Sequence, residues 1–119
     1  MRICLTSTGP ELSARVDPRF GRARYFIVYD DETEEHEAVD NEQNLNAASG
    51  AGIQAATNVA ELGCQWVVSG HIGPKAMMVL KESDVRVAVG ASGTVADAVQ
   101  AFRNDELEEA DSADVAGHW

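Results

Sequence analysis

Between Ser49 and Arg103 the apolar residues switch repeatedly between helical and strand spacing, and this alternation constrains the fold more than any other feature of the chain. Ile53, Ala56, Val59, Ala60 and Leu62 recur at helical intervals, and Gly63 closes the segment. Trp66-Val67-Val68 then reads as a strand ending at Ser69-Gly70. Pro74 suits the first turn of a second helix, whose buried stripe is Ala76, Met77 and Leu80, with the methionines as core filling. Val85, Val87 and Val89 alternate with Arg86 and Ala88 as a further strand, and a loop follows from Gly90 to Gly93. Thr94 and Asp97 have the spacing of a helix-capping box ahead of Val95, Ala98, Val99 and Phe102, and this third helix ends near Arg103. Alternation of this kind calls for right-handed crossovers and a parallel sheet between helices.

The N-terminal part adds more strands. Ile3 to Thr6 is a short β-prone run broken by Ser7-Thr8-Gly9-Pro10. Tyr25-Phe26-Ile27-Val28-Tyr29 is apolar or aromatic on both alternating faces, as an interior strand requires. A polar turn, Asp30 to Glu35, leads to a charged strand, His36 to Val39, whose charges discourage edge pairing. The 119 residues suffice for one core, so the reading is a single three-layer α/β domain over residues 1–107. Residues 108–119 are read as an acidic, mobile tail with an odd Gly117-His118-Trp119 terminus.

Charge narrows the function. Twenty acids against nine bases give a formal charge of −11, which repels nucleic acid and anionic membranes. No apolar run reaches a membrane span and the first 20 residues lack a signal-peptide pattern, so a cytoplasmic location is expected. Cys4 and Cys64 lack the paired spacing of a zinc or redox motif and read as buried, reduced thiols.

Three stretches carry candidate chemistry. Arg15, Arg19, Arg22 and Arg24 gather four of the nine bases within ten residues, a cationic loop on an acidic protein. Arginine forks suit anionic groups, while the competing reading pairs these arginines with the acidic hairpin. Ser49-Gly50-Ala51-Gly52 opens a helix with little side-chain cover and leaves backbone N–H groups able to face an anion, but neither a dinucleotide fingerprint nor a P-loop is present. Ser69-Gly70-His71-Ile72-Gly73-Pro74-Lys75-Ala76 runs from a strand's carboxyl end into a helix start, where open α/β sheets place ligands. His71 suits a metal or an anion, and Lys75 opposes the helix dipole unless an anion lies nearby.

The elements Val16-Asp17-Pro18-Arg19-Phe20-Gly21-Arg22-Ala23, Gly50-Ala51-Gly52, Gly70-His71-Ile72-Gly73-Pro74-Lys75-Ala76 and Gly93-Thr94-Val95, in this order after Met1-Arg2-Ile3, resemble the dinitrogenase iron–molybdenum cofactor biosynthesis family over about residues 1–107. That family includes nitrogenase accessory proteins and the orange protein, and many of its members occur in anaerobes. The resemblance implies a ribonuclease H-like three-layer α/β/α domain with a five-stranded mixed sheet, order 3-2-1-4-5, strand 2 antiparallel. It does not imply nuclease activity, because the first strand, Ile3-Cys4-Leu5-Thr6, lacks the carboxylates that hold divalent cations.

The resemblance further implies a noncatalytic carrier for a transiently bound anionic metal–sulfur cluster, of iron–molybdenum or molybdenum–copper type, with donor and acceptor proteins as partners. His71 is the expected metal contact, Arg19, Arg22 and Lys75 the countercharge, and Gly50, Gly52, Gly70 and Gly73 the points of close backbone approach. Cys4 and Cys64 are poorer ligands, His36 faces solvent, and His118 with Trp119 forms an auxiliary cover only if the terminus folds back. The alternative is a metal-free interaction or regulatory module that binds a partner or a small anion through the same loops. An enzyme ranks third, since no nucleophile, base and orienting acid occur at persuasive spacing.

Overall fold

The structure, a computed structural model, describes residues 1–41 and 50–113. Ser49, read as part of the first helix start, and the Gly117-His118-Trp119 terminus lie outside the described residues. The strands are β1 (Arg2–Ser7), β2 (Tyr25–Asp30), β3 (His36–Asp40), β4 (Trp66–Val68), β5 (Arg86–Val89) and β6 (Glu108–Glu109). The helices are α1 (Ala51–Glu61), α2 (Pro74–Glu82) and α3 (Val95–Arg103), with a 3-10 turn at Phe20–Arg22.

One sheet holds all six strands in the order β3-β2-β1-β4-β5-β6. β1 is antiparallel to β2 and parallel to β4, and β4 is parallel to β5. The expected order of five strands is present with β2 antiparallel, but the count is corrected from five to six. The extra strand comes from the segment read as tail. Ala88 and Val89 pair with Glu109 and Glu108, the Ala110 N–H donates to the Val87 carbonyl at 2.9 Å, and Arg86 pairs with Glu109. Only tertiary contact supplies these partners, so a two-residue acidic strand carries no signal in its own sequence.

Strand alternation divides the core into two layers. Cys4, Phe26, Val28, Val67 and Val87 face α1 and α2, meeting Ala55, Ala56, Val59, Ala76, Met77 and Leu80. Ile3, Leu5, Ile27, Tyr29, Val68 and Ala88 face α3, meeting Val95, Ala98 and Val99. The continuous apolar run of β2 is explained by this double cover. Each fully buried Leu, Ile or Phe contributes about 1.5–3 kcal/mol relative to exposure.

The helix boundaries follow from local chemistry. Gly50 adopts φ +78° as the N-cap of α1, and Gly63, at φ +75°, carries the chain out of the helix. Pro74 occupies the first turn of α2, where its missing N–H costs no hydrogen bond. Thr94 and Asp97 form the expected capping box on α3. Among the described residues, no helix is long and apolar enough to cross a membrane.

Candidate site at the strand ends

The carboxyl ends of β1 and β4 lie side by side and feed the loops that carry the candidate residues. A buried polar network holds the two ends together. Thr6 Oγ1 donates to the Asp17 carbonyl at 2.7 Å and lies 3.1 Å from Ser69 Oγ, which is 3.3 Å from the His71 carbonyl oxygen. Thr6 and Ser69 are fully buried, so each hydroxyl must find a partner inside the protein. Neither residue stands out in the sequence. Their signal was a polar side chain at the end of each central strand, which is too common to stand out.

The same network sets the arginine loop. The Asp17 N–H donates to the Thr6 carbonyl, and the Asp17 carboxylate accepts from the Arg19 N–H at 3.0 Å. The His71 N–H donates to the Pro18 carbonyl at 2.8 Å, so Arg19 and His71 form an isolated parallel bridge. Gly70 permits this approach. A Cβ there would stand 2.8 Å from Pro18 Cα. Phe20 then anchors the 3-10 turn by full burial, with its ring centroid 5.4 Å from that of Phe26.

The four arginines do not act as one cluster. Arg24 pairs with Asp40 of the hairpin at 2.6 Å and lies over the Tyr25 ring, as the competing reading expected. Arg19 Nε sits 3.8 Å from Asp17 Oδ1, with its side chain half exposed. Arg22 ends the 3-10 turn that contacts α1. Arg15 is exposed and its backbone bridges to Thr94.

Two helix starts meet beside this loop. A Cβ on Gly52 would lie 3.5 Å from Ala76 Cβ and 3.9 Å from the Ala76 backbone nitrogen, which brings the first turns of α1 and α2 into contact. Gly50 and Gly73, their N-caps, supply no side-chain hydrogen bond, and neither first turn contains an acid. The start of α3 differs. There Thr94 and Asp97 satisfy the end, and hydrogen bonds from Thr94 hold the Asp97 carboxyl below its ordinary range. Among the described residues, the first turns of α1 and α2 thus carry no offsetting acid, and Lys75 adds a full positive charge in the first turn of α2.

Structural duties explain some of the glycines. Gly70 accommodates Pro18, Gly52 lies in the helix contact and Gly50 meets the demand for positive φ, with nothing within 4 Å of an added Cβ. His71 is half-buried and Gly73 buried. Cys4 and Cys64 lie in the core on the α1–α2 side, and His36 is exposed on β3. No group of three or more His, Cys, Asp or Glu residues is arranged to hold a metal ion among the described residues.

The chain belongs to the dinitrogenase iron-molybdenum cofactor family, whose pattern it matches over residues 1–105. It is similar to the apo form of the orange protein from Desulfovibrio gigas, with 39% identity, 96% of each chain covered and a TM-score of 0.92. A NifB-like protein from Thermotoga, solved by NMR, shares 35% identity over 91% of each chain at a TM-score of 0.80. An uncharacterized protein from Methanocaldococcus jannaschii is 28% identical over 98 residues, covering 80% of this chain and 82% of the relative.

Proposed function

We propose that this member of the dinitrogenase iron-molybdenum cofactor family is a noncatalytic carrier that transiently receives a preassembled anionic metal–sulfur cluster at the shared edge of β1 and β4. The observation that carries the reading is the contact between two helix starts without acids or side-chain caps, beside Arg19, Arg22 and His71. An anion is the complement of such an edge. The strongly acidic remainder of the chain disfavours nonspecific polyanions, so a compact cargo fits better than nucleic acid.

In this reading His71 contacts a metal of the cluster directly. Arg19, Arg22 and Lys75 balance its charge, while the backbone at Gly50, Gly52, Gly70 and Gly73 lets it approach closely. The cluster supplies its own sulfides, which fits the lack of a multidentate ligand group among the described residues. Iron–molybdenum and molybdenum–copper clusters are the two cargo types proposed. Delivery and removal would involve donor and acceptor proteins in the cytoplasm, on a ribonuclease H-like framework without nuclease carboxylates.

Anaerobic titration of the metal-free protein with each cluster type, followed by desalting and metal analysis, tests the reading. Stoichiometric retention that weakens at least about tenfold in His71→Ala, roughly 1.4 kcal/mol, is the expected result. Retention unchanged by His71→Ala removes that residue from the site. If neither cluster is retained, the carrier role fails, and the interaction-module reading takes its place.

A further inference from the structure

We infer that the groove at the amino end of the sheet, beside the carboxyl end of α3, docks a protein segment that presents a lysine or arginine next to an apolar side chain. The inference stands apart from the carrier reading, because the groove lies at the opposite end of β4 from the cargo edge. Trp66 opens β4, Arg86 opens β5 and Phe102 lies in the last turn of α3. Between them and β6 the surface encloses about 560 Å³.

The floor of the groove is apolar and only partly covered. Trp66 and Phe102 pack edge to face with ring centroids 5.1 Å apart, and both are half-buried. Leu107 is half-buried as well, and Met1 keeps 39% of its surface exposed. Aromatic and aliphatic surface gathered in one concavity is the kind that a partner covers.

Charge decides which partner fits. The cations of the wall are already engaged. Arg86 lies over the Trp66 ring at 4.4 Å and pairs with both carboxylate oxygens of Glu109, its Nε at 2.9 Å. Arg103 Nη2 donates to the Asp31 carbonyl at 2.8 Å, and its Nη1 is 3.4 Å from Glu34. The Met1 ammonium lies 3.1 Å from the Asp31 carboxylate and 3.6 Å from Glu32. Asp105 lines the same groove, and among the described residues no cation or hydrogen-bond donor meets its carboxylate. Asp31, Glu32, Glu34, Asp105 and Glu109 thus outnumber Met1, Arg86 and Arg103, and the carboxylate left over stands beside the apolar floor. A basic group is its complement. The lining crosses four adjacent strands, from Met1 ahead of β1 to Glu109 on β6. At the usual strand spacing that is about 14 Å, the reach of an extended run of about four or five residues and more than a small amine fills.

The test titrates the isotope-labelled protein with acetyl-Lys-Leu-Leu-Lys-Gly-amide, which when extended carries one lysine and one leucine on each face. NMR follows the Trp66 indole N–H and the amides of Arg86, Phe102 and Leu107. Saturable shifts centred on these positions, with a Kd below about 1 mM, are expected. Acetyl-Lys-Gly-Gly-Lys-Gly-amide and acetyl-Glu-Leu-Leu-Glu-Gly-amide each lack one half of the match and should bind at least about tenfold more weakly. Asp105→Asn should weaken the first peptide about two- to fivefold, as loss of an exposed ion pair does. Asparagine tolerates the φ of 59° at this position, so the fold is kept. Glu61→Gln, remote on α1, should leave binding unchanged. The three peptides compared on the wild-type protein decide the matter without either variant. Absence of saturable shifts up to about 5 mM peptide, equal binding of the charge-only peptide, or equal weakening by Asp105→Asn and Glu61→Gln would overturn the inference.

Discussion

Gly70 lies so close to Pro18 that an added Cβ would stand 2.8 Å from the proline Cα and 3.0 Å from its carbonyl oxygen. That same carbonyl accepts the His71 N–H, so the arginine loop docks on the end of β4 only while residue 70 has no side chain. Gly70→Ala should therefore destabilise the protein by about 1–3 kcal/mol, the usual cost of overpacking. It should also separate Arg19 from His71 and, under the carrier reading, weaken cluster retention. Urea denaturation measures the first effect; a change below about 0.5 kcal/mol would mean that the loop yields without strain.

Lys75 gives a prediction with opposite signs. In the first turn of α2 a cation opposes the helix dipole, and no acid there offsets it. Lys75→Glu should raise the stability of the metal-free protein by about 0.3–1 kcal/mol at low salt. Under the carrier reading the same change should reduce cluster retention, because it places negative charge at the proposed anion edge. Thermal melting and the desalting assay on one preparation check both; a loss of stability would contradict the dipole argument.

Phe20 tests whether packing maintains the arginine turn. Its side chain is fully buried beside Phe26, and Arg19 and Arg22 flank it in sequence. Phe20→Ala should cost about 3–5 kcal/mol and, under the carrier reading, lower cluster affinity in the fraction that remains folded. Denaturant titration gives the first number, and retention measured well below the melting temperature gives the second. A folded variant with wild-type retention would show that the turn holds its shape without the ring.

The start of α3 supplies a pH prediction remote from the candidate edge. Hydrogen bonds from Thr94 lower the Asp97 carboxyl in the folded state. A depressed carboxylate stabilises the fold above its unfolded value of about 3.9, and that contribution disappears as pH falls through the lower folded value. Thr94→Ala should cost about 1 kcal/mol near neutrality but keep the backbone N–H that donates to Asp97, whereas Asp97→Asn removes the titrating group and should flatten this acid dependence. Stability measured from pH 6 down to pH 3 checks the slope; an unchanged slope would assign it to other carboxylates.

The candidate edge was legible in the sequence only as separate pieces. Arg19 and Arg22 stood out as part of a local cluster of bases, and Gly50, His71 and Lys75 because each lies at a strand end or helix start. Their relative positions depend on Thr6, Asp17 and Ser69, whose hydroxyl and backbone groups look ordinary until two strand ends are placed side by side. Arg24 shows the reverse case. Its sequence position joined it to the cationic loop, while the register Tyr25↔Asp40 gave it to the hairpin.

By itself the sequence determined what short-range physics controls: the helical stripes, the two-faced apolar run of β2, the capping box at Thr94 and Asp97, and the glycine and proline boundaries. These depend on side-chain period and local backbone freedom, which are written residue by residue. Tertiary structure alone decided the sixth strand, the contact of Gly52 with Ala76, the bridge between Arg19 and His71, and the placement of Cys4 and Cys64 in one core layer. Each joins residues far apart in the chain, and a long-range contact forms only when the packing of the whole core closes the loop between them.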